Sequence, residues 1–329
     1  MALLFMDGFD AGDALTKWNL GGSGASNTTT PFGIGRSWFL NSFSQTIKKS
    51  FTPSTQIFAG FHYRTSNTVM QGTAFFRIYG DSGATNHLSL MFTGPTTIAV
   101  YRGATQLATG TATEPLDSWA YIEISATIHD STGSCSVRVN SAPVINFTGD
   151  TKNAGSSTNI DAVAFTAASS SAVQFDNFYV CDATGSSPYN TFLGEVRIET
   201  VTPNGAGTDT QFTPSTGANY TTVDELPYSS VDYIYATASG TRDTYTMSNV
   251  PSGYNVLAVQ SNVIAKKTDA GGTAVRPAII SGGSLYYGSS VALTPTDTTI
   301  SDIRTIDPAT STTWTISGVN NIEAGVEVV

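Results

Sequence analysis

Trp119-Ala-Tyr-Ile-Glu-Ile-Ser-Ala-Thr-Ile128 alternates without a break. Tyr121, Glu123, Ser125 and Thr127 fall on one side, and Ile122, Ile124, Ala126 and Ile128 on the other. Period 2 is the signature of a half-buried strand. The same alternation recurs in short runs separated by Gly, Asn, Ser and Pro. It predicts strands at Ser37–Phe43, Gln56–Tyr63, Ala74–Tyr79, His87–Phe92 and Thr97–Tyr101. Further strands are predicted at Ala120–His129, Ser134–Val139, Asp161–Phe165 and Gln174–Cys181, and Met1–Met6 reads as the first. So many short strands imply an antiparallel sandwich or barrel.

Composition agrees. Among 329 residues, 49 are Thr, 37 are Ser and 31 are Gly, while charged residues make up only 12%. β-Branched Thr suits a pleated surface, and Gly, Asn and Ser suit turns. The net charge of -10 and the absence of a basic patch exclude a nucleic-acid partner and disfavour anionic lipid. No stretch approaches the roughly 20 apolar residues of a membrane span. Met1–Met6 lacks a basic flank and is followed by Asp7, so no export signal is expected.

Asp182-Ala-Thr-Gly-Ser-Ser-Pro-Tyr-Asn190 breaks the alternation and reads as a linker. The charge balance shifts there, from 12 acidic and 9 basic residues in 1–189 to 13 and 6 in 190–329. A jelly-roll domain over 1–185 and a smaller β-rich domain over 190–329 are expected. In the second, strands are predicted at Leu193–Val201, Asp232–Ala236, Asp243–Met247, Tyr254–Ala265, Val275–Ser281 and Ser284–Tyr287, with a final one at Glu327–Val329. Short helices are predicted at Thr222–Leu226 and Ser317–Ala324. Gly271-Gly272 and Gly282-Gly283 read as hairpin turns, and Gly21-Gly-Ser-Gly24 as an isolated loop.

Trp119–His129 with Gly133–Asn140, the segment Phe175-Asp-Asn-Phe-Tyr-Val180 and the opening Asp7-Gly-Phe-Asp10 resemble strands of laminin-G-like, concanavalin-A-like jelly rolls. Ser141 stands where that family has Gly. With Leu193-Gly-Glu-Val-Arg197 and the ending Ile322–Val329, the whole chain resembles accessory virion proteins of tailed bacteriophages. The resemblance implies a non-enzymatic virion protein assembled in the host cytoplasm. A tail- or fibre-associated component contacting host glycans is expected first, and a capsid decoration protein second. Other virion proteins are its expected partners, and a homotrimer its expected state. A free carbohydrate-binding module or weak glycoside hydrolase is the competing class.

Glycoside hydrolysis needs two carboxylates. The best strand offers Glu123 alone, read as a solvent-facing residue between Tyr121 and Ser125. His129-Asp130 reads as a polar turn, and His62 and His87 lie apart in sequence without metal-ligand spacing. No cofactor is expected. The family resemblance allows one calcium at a loop rim, with Asp81, Asp130, Asp150 and Asp161 at turns, but assigns no ligands. For sugar stacking, Trp18, Trp38, Trp119, Trp314 and Tyr286-Tyr287 are the candidates, each also explained by core packing. Cys135 and Cys181 can be read as a pair across the sandwich or as two buried thiols.

Overall fold

The computed structural model describes residues 3–18, 20–21, 24–42, 45–66, 71–167 and 172–329. Met1 and Ala2 of the predicted first strand, Phe43 and the middle of the 21–24 loop lie outside the described residues. The chain divides into two units, Met1–Ile198 and Glu199–Val329. Both are built from antiparallel sheets. No helix among the described residues is long and apolar enough to cross a membrane.

The first unit contains strands β1 (Leu3–Asp7), β2 (Leu20–Gly21), β3 (Ala25–Asn27), β4 (Ser37–Leu40) and β5 (Gln45–Ser54). There follow β6 (Gln56–Ser66), β7 (Thr73–Gly80), β8 (Thr85–Gly94), β9 (Thr97–Arg102) and β10 (Thr105–Thr111). The last are β11 (Ala120–Thr127), β12 (Gly133–Val139), β13 (Ala142–Gly149), β14 (Ile160–Ala167) and β15 (Ala172–Asp182). The front sheet runs β13-β12-β11-β6-β15-β4-β3, with β1 also on β15, and the back sheet β10-β9-β8-β7-β14-β5-β2. This is a jelly-roll sandwich. Its core interleaves Ile57, Ala59, Phe61 and Tyr63 of β6 and Ile122, Ile124 and Ala126 of β11 with Phe76, Ile78 and Phe165 of the back sheet. The strands predicted from alternation are present. Gln45–Ser54, Thr105–Thr111 and Ala142–Gly149 were not predicted, because lysines, hydroxyls and proline mask their period.

The opening Asp7-Gly-Phe-Asp10 is structural. Buried Asp7 accepts from Lys17 Nζ at 3.0 Å, Trp18 Nε1 at 2.7 Å and the Phe9 amide at 3.0 Å. The backbone amide of Arg36 donates to Asp10 Oδ1 at 2.6 Å. A buried pair of this kind is kept only when its hydrogen bonds are satisfied.

The second unit carries a six-stranded sheet of β16 (Pro203–Thr210), β19 (Arg242–Met247), β21 (Ala274–Ser281), β22 (Ser284–Tyr287), β23 (Val291–Ala292) and β25 (Glu323–Val328). Two ribbons complete it, β17 (Thr213–Pro214) with β18 (Ile234–Tyr235), and β20 (Val259–Ala265) with β24 (Thr298–Arg304).

Several expectations fail here. Leu193–Val201 is not a strand. The helix expected at Thr222–Leu226 is instead a 3-10 turn at Asn219–Thr222. The helix expected at Ser317–Ala324 is one turn, Ile316–Val319. Its cap is Thr315, whose hydroxyl accepts from the Gly318 amide, and the alternation of the last residues claims 323–328 for a strand. Gly282-Gly283 makes the predicted tight turn, with φ of 56° and 75°. Gly271-Gly272 does not, because β20 pairs with β24 and not with β21.

The β12–β13 hairpin turns on Asn140 and Ser141, both left-handed with φ of 49° and 67°. A two-residue turn of this hand prefers Asn-Gly, and a side chain there costs about 1 kcal/mol. Ser141→Gly is expected to stabilise the first unit by about 1 kcal/mol in urea unfolding. An unchanged or lower midpoint would contradict this turn.

Candidate functional site

Strict alternation along β15 would put Phe175, Asn177 and Tyr179 on one face. It does not hold. The register on β6 shifts between Asp176 and Tyr179, and Asn177 is left-handed with φ 51°. This is a β-bulge, and Asn is among the few residues that tolerate its backbone. Past it, Phe178 and Val180 enter the core while Tyr179 turns to the outer face. Asp176 is buried at the bulge and accepts from the Asn177 amide at 2.7 Å. Burial pushes its carboxyl up to about 9, and the charges of Asp10 and Asp7 act in the same sense.

The outer face then assembles by register. Glu123 of β11 lies opposite Gly60 of β6, and Gly60 opposite Tyr179 of β15; Tyr121 lies opposite His62. Gly60 makes room. A Cβ there would sit 2.7 Å from the Tyr121 hydroxyl and closer still to the Tyr179 ring. With that space free, the Tyr179 hydroxyl donates to Glu123 Oε1 at 2.8 Å. His62 stands among rings, with centroids 4.7 Å away at Tyr121, 5.2 Å at Phe32 and 6.2 Å at Trp119.

Residues 192–198 lie across this face as a strap. Phe192 meets Phe58 edge-on at 5.5 Å and lies 4.4 Å from the Arg138 guanidinium. The Leu193 amide donates to the Tyr179 hydroxyl at 3.0 Å, and the Gly194 amide to Glu123 Oε1 at 2.9 Å. Glu195 Oε1 is 3.0 Å from His62 Nε2. The Arg197 guanidinium lies 5.4 Å from the Phe32 ring. Finally the Ile198 amide donates to Asn177 Oδ1 at 2.6 Å. The bulge residue therefore anchors the far end of the strap.

This overturns the expected solvent-facing Glu123, which is 1% exposed. Tyr121 and Ser125 share its face as predicted, but under cover. The residues that follow the expected 182–190 linker, up to Ile198, fall in the first unit. The strap brings a second carboxylate, Glu195, to the face, which strand periodicity could not reveal.

The cover is not perfectly matched. His62 Nδ1, the Tyr121 hydroxyl and Glu123 Oε2 are buried without a well-formed hydrogen bond. The Val196 backbone approaches the Tyr121 hydroxyl without completing one. Each such group carries a desolvation cost. Chemically, the arrangement is a tyrosine–glutamate–histidine cluster whose accessible side is filled by the chain itself.

The other candidates have structural partners. Trp18, Trp38 and Trp314 are buried, and Trp119 is half-buried beside His62. Tyr286 packs on a core cluster, while Tyr287 bonds Glu327 and lies 3.5 Å from the Arg276 guanidinium. His129 Nδ1 accepts from the amides of Ser131 and Thr132, the predicted polar turn. His87 is buried, and its Nδ1 accepts from the Asn153 amide.

The four loop aspartates are each engaged. Asp81 accepts from the Ser157 amide and Asp161 from those of Ser82 and Gly83, while Asp130 pairs with Lys152 and Asp150 with Arg102. Among the described residues, no three His, Cys, Asp or Glu side chains converge as a metal site. Cys135 and Cys181 are free and buried, on strands separated by β11 and β6, too far apart to bridge. Burial pushes both thiols up to about 12.

No protein-family model and no curated protein matches the sequence. Among solved structures, the chain is similar to a cellulose-induced protein at 16% identity and TM-score 0.44, over 58% of this chain and 100% of that one. It is similar to a galectin-like protein of unknown function from Bacillus subtilis at 14% identity and TM-score 0.40, over 55% and 96%. It is also similar to an endo-β-1,4-glucuronan lyase from Trichoderma reesei at 12% identity and TM-score 0.39, over 51% and 92%. The likeness is one of fold, a concanavalin-A-like jelly roll.

Burial pulls the His62 pKa below its usual value, and Glu195 only partly opposes this. The folded state therefore favours neutral His62. Its contribution is present above the unfolded value of about 6.5 and is lost as pH falls toward the folded value. Between pH 7.5 and pH 5 the melting temperature of His62→Gln is expected to rise relative to that of the unmutated chain, because the variant lacks the His62 loss. Buried His87, which acts in the same sense as His62, and Asp176, whose raised pKa acts in the opposite sense, contribute equally to both proteins and cancel in the difference. Identical slopes in the two proteins would contradict a buried neutral His62.

Proposed function

We propose that this chain is a non-enzymatic structural protein of a tailed-phage virion, acting through protein contacts and not through turnover. The observation that carries the non-enzymatic part is the strap. A glycosidase needs two carboxylates facing an open cleft. Here Glu123 is covered and accepts from Tyr179 and Gly194, while Glu195 is engaged with His62. The face is used to fasten the chain's own connecting segment.

The phage assignment rests on the resemblance of Asp7–Asp10, Leu193–Arg197 and Ile322–Val329 to accessory virion proteins. Two of these stretches hold the first unit together, through Asp7 and through the strap. A tail- or fibre-associated position with contact to host glycans is proposed first, and capsid decoration second. Other virion proteins, and further copies in a homotrimer, are the proposed partners.

The test is mass spectrometry of density-banded particles from a lysate whose phage encodes the chain, followed by immunogold labelling. The chain is expected in washed particles at many copies, with gold at the tail; gold over the head selects decoration. Absence from particles would overturn the virion reading. Glycan cleavage lost in Glu123→Gln would overturn the non-enzymatic one.

A further inference from the structure

Asn-Gly occurs once in the chain, at Asn204-Gly205. In such a pair the main-chain nitrogen of the glycine can reach the side-chain amide carbon of the asparagine. No Cβ on the glycine stands in the way, and its backbone turns freely. A regular strand packed between two others would suppress this approach. β16 is not such a strand.

Within β16 the pair sits at a weak point. The strand is the edge of its sheet, bonded on one side to β19. Pro203 faces Met247 and Gly205 faces Thr246, so Asn204 is an extra residue in the register. A bulge of this kind disrupts the ladder locally. The register breaks again between Ala206 and Thr210. Gly205-Ala-Gly207 carries no side chain larger than a methyl, so no large apolar group pins this half of the strand. Local opening takes least free energy where few apolar contacts oppose it. The far half is held differently. The amide and hydroxyl of Thr208 donate to Glu323 at 2.7 and 2.8 Å, and Asp209 pairs with Arg242.

The reacting side chain is already positioned. Asn204 is exposed, and its Oδ1 accepts from the Thr246 hydroxyl at 2.9 Å. The same hydroxyl borders Gly205, where a Cβ would lie 2.7 Å from Thr246 Oγ1. One O–H thus lies beside both the carbonyl to be attacked and the residue that supplies the nitrogen. A donor on that oxygen polarises the amide and stabilises the oxyanion formed on attack.

We propose that Asn204-Gly205 is a self-modification site, at which the chain deamidates without an enzyme and releases the first half of β16. The chemistry needs only water and hydroxide from solvent. The Gly205 nitrogen gives its proton to hydroxide and attacks Cγ of Asn204. The N–Cγ bond forms, and negative charge gathers on Oδ1 beside Thr246. The Cγ–Nδ2 bond then breaks, and Nδ2 leaves as ammonia after taking a proton from water, which returns the hydroxide. Water opens the resulting succinimide at either carbonyl, to aspartate or isoaspartate. The sum is one water consumed and one ammonia released, with no change of oxidation state. Isoaspartate lengthens the main chain by one carbon and so shifts Gly205 off Thr246. Either product adds a negative charge to a chain of net charge -10. The proposal goes beyond the virion reading and stands without it.

The experiment incubates the folded full chain in mildly alkaline buffer. Deamidation is followed by peptide mass spectrometry, with fragment ions that tell isoaspartate from aspartate. Asn204 is expected to convert at least about tenfold faster than Asn140, an exposed asparagine followed by Ser141. Thr246→Val, at an exposed strand position that suits valine, is expected to slow this conversion several-fold in the folded chain and to leave it unchanged in urea. In the isoaspartate form, separated by chromatography, the amides of Gly205 and Ala206 are expected to exchange faster, and that of Thr208 at its original rate. Conversion of Asn204 no faster than that of Asn140 overturns the site. Equal rates in the folded unmutated and Thr246→Val chains overturn the part given to the hydroxyl. Unchanged exchange at Gly205 and Ala206 overturns the release of β16.

Discussion

One extra residue in β15 sets the rest of the first unit. Without the bulge at Asp176-Asn177, the alternation begun by Phe175 would send Tyr179 into the core and Phe178 out to the front face. With it, two phenylalanines and Val180 face inward, and Tyr179 is free to lie over Gly60 and donate to Glu123. The residue that pays the left-handed backbone, Asn177, also receives the amide of Ile198. Core packing, the outer polar cluster and the anchoring of the strap thus meet in two adjacent residues.

The strap converts a sheet face into an internal contact. A front sheet with a solvated outer face would show buried residues at every second position. Instead β6 is buried almost end to end and β11 likewise. Glu123, His62 and Tyr121 become interior groups, and burial lowers the pKa of His62 and raises that of Tyr121. Three polar atoms left without well-formed partners mark the limits of that cover. The face so used holds the chain's own segment 192–198.

Much of the fold was legible. The Tyr121/Ile122 alternation placed β11 correctly, and the apolar runs found most strands of the sandwich. What failed has a common cause: partners distant in sequence. Glu123 reads as exposed because its cover comes from an irregular segment some seventy residues on. That segment, Leu193-Gly-Glu-Val-Arg-Ile198, alternates like a strand but spends its amides on side chains. No strand is predicted over Pro203–Thr210, yet it forms a sheet edge, where a leading proline costs no ladder bond. The bulge lies within Phe175–Val180, but its role follows from register and not from residue type.

The central claim is that residues 193–198 close the front sheet as an integral part of the first unit. Amide hydrogen exchange resolved to single residues tests it directly. The amides of Leu193, Gly194 and Ile198 are predicted to exchange as slowly as those of β6 and β11, and to speed up together when Asn177→Ala removes the anchor. Rapid exchange at these three amides in the unmutated chain would mean that the strap does not close the face, and that Glu123 is open to solvent after all.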